Sequence, residues 1–591
     1  MSLLCGLHTA LGKRNLVDLF AWMQRMGAET PVVMYMAVDV TKTTHNLLHA
    51  DLGGPSIGRH GFYLQRTPEA AKRREAYLRY LGDFFRILEE TGAGAGAGRL
   101  PWITPPDPEA ILRCETWLTR FLEKDDAHNE KNHHMRTKMT TATFRRVTGL
   151  DLDAWAEAGS GSGTSTLRHV AHVSTSGASS LGEVVKHLHA HDNAWNNDWY
   201  SFWAYQTVSL VIHFVPALWQ RKYEFLRPFT MMEPPATRAE HALGQVMTMM
   251  NSTFSEAYLS LARRPRIVKQ ARDMFEELRG VFREWLEQNK LEMTPSTQTK
   301  AMQKLRAMRL VPGSKPRWTP DPTSSELPFG DNALDNIRRY AAWLYAVEWN
   351  KGDRPIEDDD VWNPSRDDHV YVVNAFYKSN ANTIVLPTGI LQPPYVLEEG
   401  GGSGAGAGAG ATTLRKRIYN VAYLGTLIGH EMFHAFDLDG FQMDAHGQYR
   451  KDWYKAEKEW YRLRRPALLA TYKAIAKRQN YKVDQWNDDT LSENLADLYG
   501  LFLTEDLLER KLDEWKVTGE AARKAAFRQF FEDYAKQWRS TLRVRNMNRL
   551  LYHNEHILPQ MRVNVTLSLS KRFREVYGIQ PGEGMYTKDE V

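Results

Sequence analysis

The chain has 591 residues, more than one compact core usually supports, so two or more lobes are expected. Apolar residues make up 42% of the chain and charged residues 25%, as in folded soluble proteins. Lys and Arg number 76 against 71 Asp and Glu, and the net charge of +5 is small for this length, which argues against a nucleic-acid partner.

The sequence also bears on the compartment. Its two cysteines, Cys5 and Cys114, are fewer than a disulfide-stabilised ectodomain would be expected to carry. The longest apolar stretch, residues 207–219, is too short to span a bilayer, and the first residues lack the apolar core of a signal peptide. We expect no transmembrane segment in this chain and a cytoplasmic or otherwise soluble protein. A secreted protein is the alternative, because Asn251 and Asn564 begin glycosylation sequons.

The amino-terminal half is predicted to be mainly helical. Amphipathic patterns cover residues 16–26 and 73–90. Aromatic residues are dense at 193–200, which favours a packed core or a lobe interface over a ligand site. Runs of Gly, Ala, Ser and Thr bury little surface, so they predict flexible surface loops. These runs occupy residues 92–98, 159–166 and 400–411.

The carboxy-terminal half combines short strands with long helices. After a loop-rich region at 320–366, residues 371–376 and 383–386 alternate or run apolar and predict two short strands. Residues 453–478 form a charged amphipathic helical pattern, and the tail from 505 to 577 is again helical. The residues with the clearest chemical pattern lie between these elements.

Residues 429–434 read Gly-His-Glu-Met-Phe-His inside a helical pattern over 418–436. Because a helix turns about 100° per residue, His430 and His434 share one face. Two imidazoles at this spacing can bind zinc, and Glu431 would lie where it can take a proton from the attacking water. The pattern also arises by chance. However, the residues that precede it in the helical pattern are apolar, which predicts a buried helix. Buried His and Glu side chains need partners or a metal.

A third ligand is expected from residues 492–497, Ser-Glu-Asn-Leu-Ala-Asp, which open another helical pattern. Glu493 and Asp497 are four residues apart and share a face. In such sites a glutamate completes a set of two histidines and one carboxylate, and an aspartate orients a ligand histidine through its other ring N–H. We therefore predict one zinc ion per chain, bound with the help of these two residues. Without the upstream motif they would be assigned to a solvated helix face.

Four sequence blocks occur in a characteristic order. They are VNAFY at 373–377 with IVLPTGILQPPY at 384–395, GHEMFHAFD at 429–437, ENLAD at 493–497 and HILPQMRVN at 556–564. In this order they resemble the neprilysin and endothelin-converting-enzyme family of zinc metallopeptidases, which includes bacterial oligopeptidases. Weaker similarity extends the resemblance over most of the chain.

The resemblance implies a mainly α-helical, two-lobed fold. A thermolysin-like catalytic domain, built of a small β-sheet plus helices, would be joined by a second, helical lobe that closes a central cavity. The expected helical lobe covers residues 1–320 and the expected zinc catalytic domain covers 321–591. By the same resemblance, we expect the family's amino-terminal segment to have no counterpart here, because the first residues of this sequence correspond to positions some tens of residues into family members.

The resemblance also implies roles for further residues. His556 would stabilise the oxyanion, Arg562 would hold a substrate carbonyl, and Asn374 and Ala375 would pair with the substrate backbone as an added edge strand. The pocket for the residue after the cleaved bond would favour bulky apolar side chains. Its expected lining residues are Ile390, Tyr395 and Leu427. Without the resemblance, these three would be assigned to ordinary core packing.

The leading prediction is a zinc-dependent endopeptidase that hydrolyses oligopeptides, with a preference for a bulky hydrophobic residue after the scissile bond. The alternative is a catalytically silent relative that binds peptides or acts as a scaffold, but Glu431 and the expected ligands are all present. A zinc aminopeptidase would share His-Glu-x-x-His, yet the sequence contains no Gly-x-Met-Glu-Asn segment. The arginines that bind a substrate's terminal carboxylate in some members belong to the missing segment, so the choice between endopeptidase and dipeptide-releasing cleavage is left open.

Overall fold

Helices dominate the computed structural model of the protein. The structure describes residues 1–57, 60–94, 99–131, 136–160, 170–228, 237–262, 264–313, 321–323, 325–352, 355–356, 369–399, 407–437, 440–450, 454–481, 488–541 and 556–587. None of the helices in these ranges is both long enough and apolar enough to cross a membrane. The chain divides into two compact units, of which the first comprises Met1–Asp39, Thr44–Met249 and Asp321–Ile356, and the second Val40–Thr43, Met250–Pro320 and Glu357–Val591. The predicted domain boundary at residue 320 stays a prediction.

The first unit packs helices around one four-stranded sheet. Its strands are β1 (Val32–Val38), β2 (Asn46–Leu52), β3 (Thr137–Thr140) and β4 (His172–Thr175). They lie in the order β1-β2-β4-β3, and only the β2–β4 pair is parallel. The helices are Ser2–Gly12, Leu16–Arg25, His60–Leu64, Pro68–Gly94, Pro108–Lys131, Thr141–Thr148, Leu152–Ser160, Ala178–His189, Asn197–Val208, Pro216–Leu226, Arg238–Met249 and Ala333–Trp349. Trp199 and Tyr200 lie in the core, as the aromatic pattern predicts.

The second unit combines helices with a three-stranded sheet. Its strands are β5 (Arg309–Pro312), β6 (Phe376–Lys378) and β7 (Thr383–Leu386), in the order β5-β7-β6. The central strand β7 is buried along its whole length, and β6 pairs with it in antiparallel fashion at one edge. The helices are Asn251–Ala262, Pro265–Glu287, Pro295–Ala307, Ala407–Asn420, Thr426–Phe433, Tyr454–Arg478, Asp488–Glu514, Glu520–Gln537, Pro559–Leu569 and Lys571–Tyr577.

One predicted strand is confirmed and the other was wrong. The strand at 383–386 is β7, whereas the segment predicted at 371–376 joins a sheet only from Phe376 onward. The backbone N–H of Val372 donates to the carbonyl of His369, so the chain turns where the alternating pattern predicted extension. Within this segment only Ala375 is buried, and Val373 is 50% exposed, so the apolar pattern does not mark a buried strand.

The predicted loops of small residues lie largely outside the described residues. Where the structure does describe them, they extend helices: residues 92–94 belong to Pro68–Gly94, residues 159–160 to Leu152–Ser160 and residues 407–411 to Ala407–Asn420. The loop prediction was wrong at these positions. Alanine has the highest helix propensity, and the flanking helices extend into the runs.

The helix that carries the His-Glu-x-x-His pattern runs without a break across several turns. Ala407–Asn420 continues through one π-helical turn, Val421–Gly425, into Thr426–Phe433, here called the motif helix. A final turn of tighter helix, His434–Phe436, ends it. All residues of the motif helix except Leu427 are buried, which confirms the prediction of a buried helix.

Candidate metal centre

Three donor side chains from two helices converge in the second unit. His430 and His434 direct their Nε2 atoms to within 3.0 Å of each other. Glu493, near the start of Asp488–Glu514, here called the carboxylate helix, places Oε2 3.4 Å from His430 Nε2 and Oε1 3.6 Å from His434 Nε2. Within the described ranges, no other three His, Cys, Asp or Glu side chains lie close enough together to hold a metal ion. The structure thus brings together the three residues predicted as ligands.

The spacing of these donors fits a zinc ion. Zinc binds nitrogen and oxygen at about 2.0–2.1 Å in a tetrahedron, which places ligands about 3.3 Å apart. The observed donor separations, 3.0 to 3.6 Å, lie around that value. Two imidazoles and one carboxylate are also a ligand set of catalytic zinc sites, in which the fourth position is open.

An aspartate binds the other ring nitrogen of each histidine. His430 Nδ1 lies 2.9 Å from Asp497 Oδ1, and His434 Nδ1 lies 2.7 Å from Asp437 Oδ2. Both aspartates are only 5% exposed. These contacts fix the ring orientations and leave both Nε2 atoms available to a metal ion. Sequence reasoning predicted Asp497 in this position but missed Asp437, although its place three residues after His434 could have indicated it.

The electrostatics of the site favour positive charge between the donors. Burial disfavours the charged form of His430, but hydrogen bonds with Asp497 and Glu493, and their charges, outweigh burial and raise its pKa to about 10. Burial also acts to raise the pKa of Glu493, but hydrogen bonds with His430 and His556 hold it well below its usual range. The carboxylates therefore attract a cation, and a metal ion can replace the protons held there.

Arg562 supports this arrangement from the helix Pro559–Leu569. Its Nε and Nη2 atoms each donate to one carboxylate oxygen of Asp497, both at 2.6 Å. The guanidinium is buried and stacks 3.8 Å from the ring centroid of Trp538. Burial acts to raise the pKa of Asp497, but the charge of Arg562 holds it low, so the aspartate stays ionised behind His430. The predicted contact of Arg562 with a substrate carbonyl stays a prediction.

His556 contacts Glu493, the third predicted ligand. Its Nε2 atom lies 3.0 Å from Glu493 Oε2, and its side chain is 38% exposed. The chain then enters the next helix at Pro559, whose ring suits the first helical position. His556 therefore lies beside the donors, and its exposure leaves it accessible to a bound molecule.

Two glycines allow the motif helix and the carboxylate helix to touch. A Cβ atom at Gly500 would lie 2.7 Å from the backbone nitrogen of His430, and one at Gly429 would lie 3.0 Å from Cα of Gly500. The two backbones are therefore in direct contact, with no space for a side chain between them. This contact sets how closely Glu493 can approach the histidines.

Replacing Gly500 with alanine is expected to destabilise the fold by about 1–3 kcal/mol, because the added methyl group must push the helices apart. Gly280→Ala is the matched control, since a Cβ at Gly280, within the helix Pro265–Glu287, would meet no atom within 4 Å. Alanine there is expected to raise the stability by up to about 1 kcal/mol. Thermal unfolding of both variants measures the two effects. An unchanged Tm for Gly500→Ala would contradict the contact.

The donors open onto a cavity of about 610 Å³. Every residue predicted for the site lines it: His430, Glu431, His434, Glu493, Asp497, His556, Arg562, Asn374, Ala375, Ile390, Tyr395 and Leu427. Asn374 and Ala375 immediately precede β6, so they lie at the edge of the sheet. Ile390 is buried in the core of this unit, and Tyr395 and Leu427 are partly buried against that core.

Known proteins resemble the chain along most of its length. Two sequence profiles described as peptidase family M13 match residues 6–314 and 374–591. Neprilysin-11 of Caenorhabditis elegans is 23% identical over 585 residues, which are 96% of this chain and 65% of that protein. Neutral endopeptidase of Lactococcus lactis subsp. lactis is 29% identical over 223 residues, 37% of this chain and 30% of that protein. The chain thus spans less than two thirds of the length of these two relatives.

Solved structures show the same fold. A zinc metalloprotease of Mycobacterium tuberculosis, in complex with an inhibitor, matches with a TM-score of 0.78 and 20% identity, over 99% of this chain and 84% of that chain. PepO from Lactobacillus rhamnosis HN001 matches with a TM-score of 0.74 and 21% identity, over 98% of this chain and 84% of that chain. The predicted mainly helical fold class is confirmed. The two family profiles together cover more than half of the sequence, and the chain therefore belongs to peptidase family M13.

Proposed function

We propose that this protein is a zinc-dependent endopeptidase that hydrolyses oligopeptides. One observation carries the proposal: His430, His434 and Glu493 converge at zinc-ligand spacing in a cavity of about 610 Å³. The same cavity is lined by a buried glutamate, Glu431, that is not part of the ligand set. Relatives named neutral endopeptidase and zinc metalloprotease support the assignment.

The metal would be held by the two imidazoles and the carboxylate of Glu493. When bound, zinc supplies Lewis acidity, which makes water nucleophilic near neutral pH and polarises a peptide carbonyl. Asp437 and Asp497 keep the imidazoles oriented and basic through their Nδ1 atoms.

Glu431 is the proposed general base. It follows His430 in the motif helix, is 6% exposed and lines the cavity. Its carboxylate accepts a proton from the attacking water and passes it to the leaving nitrogen. Because Glu431 shares a helix with both histidines, the backbone fixes its place relative to the ligands.

Two further groups would act on the reacting carbonyl. The side chain of His556, which lies beside Glu493, donates a hydrogen bond to the oxyanion of the tetrahedral intermediate. Arg562, already bound to Asp497, directs its remaining N–H groups to a substrate carbonyl. Both residues line the cavity, which supports these roles.

The substrate backbone would add to the sheet beside β6. Within the described residues this strand pairs with β7 alone, so its other edge is available to an extended peptide. Asn374 and Ala375 lie at the approach to this edge and pair with the substrate backbone. Such hydrogen bonds do not depend on side chains, so many peptide sequences can bind.

Selectivity would come from the apolar part of the cavity. Ile390, Tyr395 and Leu427 line it and offer a surface for a bulky hydrophobic side chain after the scissile bond. A quenched peptide with Phe or Leu at that position is expected to have a kcat/KM about 10–200-fold above the same peptide with Ala. A metal chelator is expected to abolish cleavage of both, and added zinc to restore it.

The control peptide carries the Phe before the scissile bond instead of after it. Equal cleavage of all three peptides would contradict the apolar pocket. Cleavage that a chelator does not affect, or no cleavage of any peptide by zinc-loaded protein, would contradict the proposed function itself.

A further inference from the structure

A buried lysine lies beside the metal centre and has no part in the proposed chemistry. Lys304, near the end of the helix Pro295–Ala307, is 1% exposed. Its Nζ atom donates hydrogen bonds to the backbone carbonyls of Gly440 and Met443, the latter at 2.8 Å. Lysine is almost never fully buried without a partner charge. The surroundings of this ammonium group therefore need an explanation.

Two buried aspartates favour the charged form of this lysine. Burial lowers the pKa of Lys304 to about 7, and the negative charges of Asp437 and Asp444 oppose that effect. Asp444 has a second cation in Arg450, whose Nε donates to it at 2.9 Å. Asp437 is instead engaged with His434, one of the proposed ligands. Of the two aspartates, Asp437 is therefore the one through which the charge of Lys304 can act on the metal centre.

A short series of hydrogen bonds connects Lys304 to His434. The lysine binds the carbonyl of Gly440, and the N–H of the same glycine donates to Asp437 Oδ1 at 2.7 Å. The other carboxylate oxygen, Oδ2, lies 2.7 Å from His434 Nδ1. A Cβ at Gly440 would lie 2.0 Å from the carbonyl oxygen of His434, so this glycine is pressed against the end of the motif helix.

A related arrangement, in which the cation contacts the aspartate directly, occurs on the other side of the site. His430 is bound by the buried Asp497, which in turn is bound by the buried guanidinium of Arg562. Each proposed ligand histidine therefore has an aspartate behind it and a buried cation close to that aspartate. Lys304 and Arg562 reach these positions from helices that are far apart in the chain.

We infer that Lys304 is a positioning residue of the metal centre, which supplies the positive charge near Asp437 and holds the backbone of residues 440–443. The inference rests on the proposed function, since it concerns zinc bound at His434. Without a nearby cation, the buried carboxylate of Asp437 is poorly stabilised and is no longer held firmly in its position. His434 would then be a weaker and less well oriented ligand.

The test measures the zinc affinity of the full chain by competition with a chromogenic chelator at fixed pH and ionic strength. Lys304→Met keeps an unbranched side chain that is one atom shorter and removes the charge, and it is expected to raise the Kd for zinc by about 10–100-fold. Lys304→Arg is expected to restore most of the affinity. Lys304→Gln keeps a donor for the carbonyls without the charge, so it is expected to bind zinc as weakly as Lys304→Met.

A double-mutant cycle with Asp437→Asn tests whether the two residues act together. Lys304→Met is expected to raise the zinc Kd much less in the Asp437→Asn background than in the unchanged protein. If the increase in zinc Kd of the double variant equals the product of the increases in the two single variants, the inference is overturned. If Lys304→Met fails to fold, Lys304→Gln, which also removes the charge, carries the same cycle, and Lys304→Arg serves as its charge-retaining reference.

The matched control is Lys511→Met. Lys511 is 15% exposed and pairs with Glu277 and Glu514, away from the 440–443 segment. This variant is expected to have a lower Tm and an unchanged zinc Kd. A lower Tm with an unchanged zinc Kd in Lys304→Met would overturn the inference, because it would show a purely structural role for Lys304. An unchanged zinc Kd in Lys304→Gln would overturn it for the same reason.

Failure of this inference differs from failure of the proposed function. A protein that binds zinc and cleaves peptides, but whose zinc affinity is independent of residue 304, overturns the inference alone. A folded, unchanged protein that binds no zinc overturns the proposed function and the role of Lys304 with it.

Discussion

Replacing Glu431 with glutamine is expected to lower kcat for peptide cleavage by about 10²–10⁴-fold, because the amide cannot accept the proton of the attacking water. Glutamine has nearly the same shape as glutamate, so the buried packing around position 431 is preserved. The donors of His430, His434 and Glu493 are not changed. The variant is therefore expected to retain one zinc ion per chain, as measured by elemental analysis of the purified protein.

The kinetic control for this prediction is Glu532→Gln. Glu532 is an exposed glutamate on the helix Glu520–Gln537, outside the lining of the cavity. Its replacement is expected to leave kcat and zinc content unchanged. Retention of more than a tenth of the activity in Glu431→Gln would contradict the role of Glu431 as the general base.

Replacing Glu493 with alanine is expected to act on metal binding itself. It removes the carboxylate that lies 3.4 Å from His430 Nε2 and 3.6 Å from His434 Nε2. Loss of an outer partner of a ligand typically costs about 10–100-fold in metal affinity, so loss of the ligand itself is expected to cost more than about 100-fold. Zinc competition titrations measure the change directly.

The same variant is expected to lose the stabilisation that zinc gives to the fold. A ligand that binds only the native state raises its stability in proportion to RT ln(1 + [L]/Kd). A chelator should therefore lower the Tm of the unchanged protein and leave that of Glu493→Ala unaffected. Asp513→Ala, an exposed change on the same carboxylate helix, is the control and should behave like the unchanged protein. Normal zinc affinity in Glu493→Ala would remove Glu493 from the ligand set.

The parts of the site that could be predicted are those that depend on local periodicity. His430 and His434 share a face because they are four residues apart in one helix, and Glu493 and Asp497 share a face for the same reason. This geometry holds wherever the helix lies in the fold. The two pairs could therefore be recognised before it was known that their helices are in contact.

The strand and loop predictions were wrong where neighbouring structure overrides a local pattern. Residues 371–376 alternate in hydrophobicity, but the chain turns between His369 and Val372. Residues 407–411 have the composition of a linker, but they begin the helix Ala407–Asn420. In both cases the local sequence is compatible with two backbone conformations, and the elements on either side determine which of the two forms.

The sequence by itself determined the family, the mainly helical fold class and the helix faces that carry the proposed ligands and Glu431. Only the tertiary structure decided that Gly500 touches the backbone of His430, and that Lys304 reaches the carbonyl of Gly440. These contacts join residues far apart in the chain. They depend on how closely two backbones can pack and on which buried charges need a partner, and no repeat along the sequence encodes either of these.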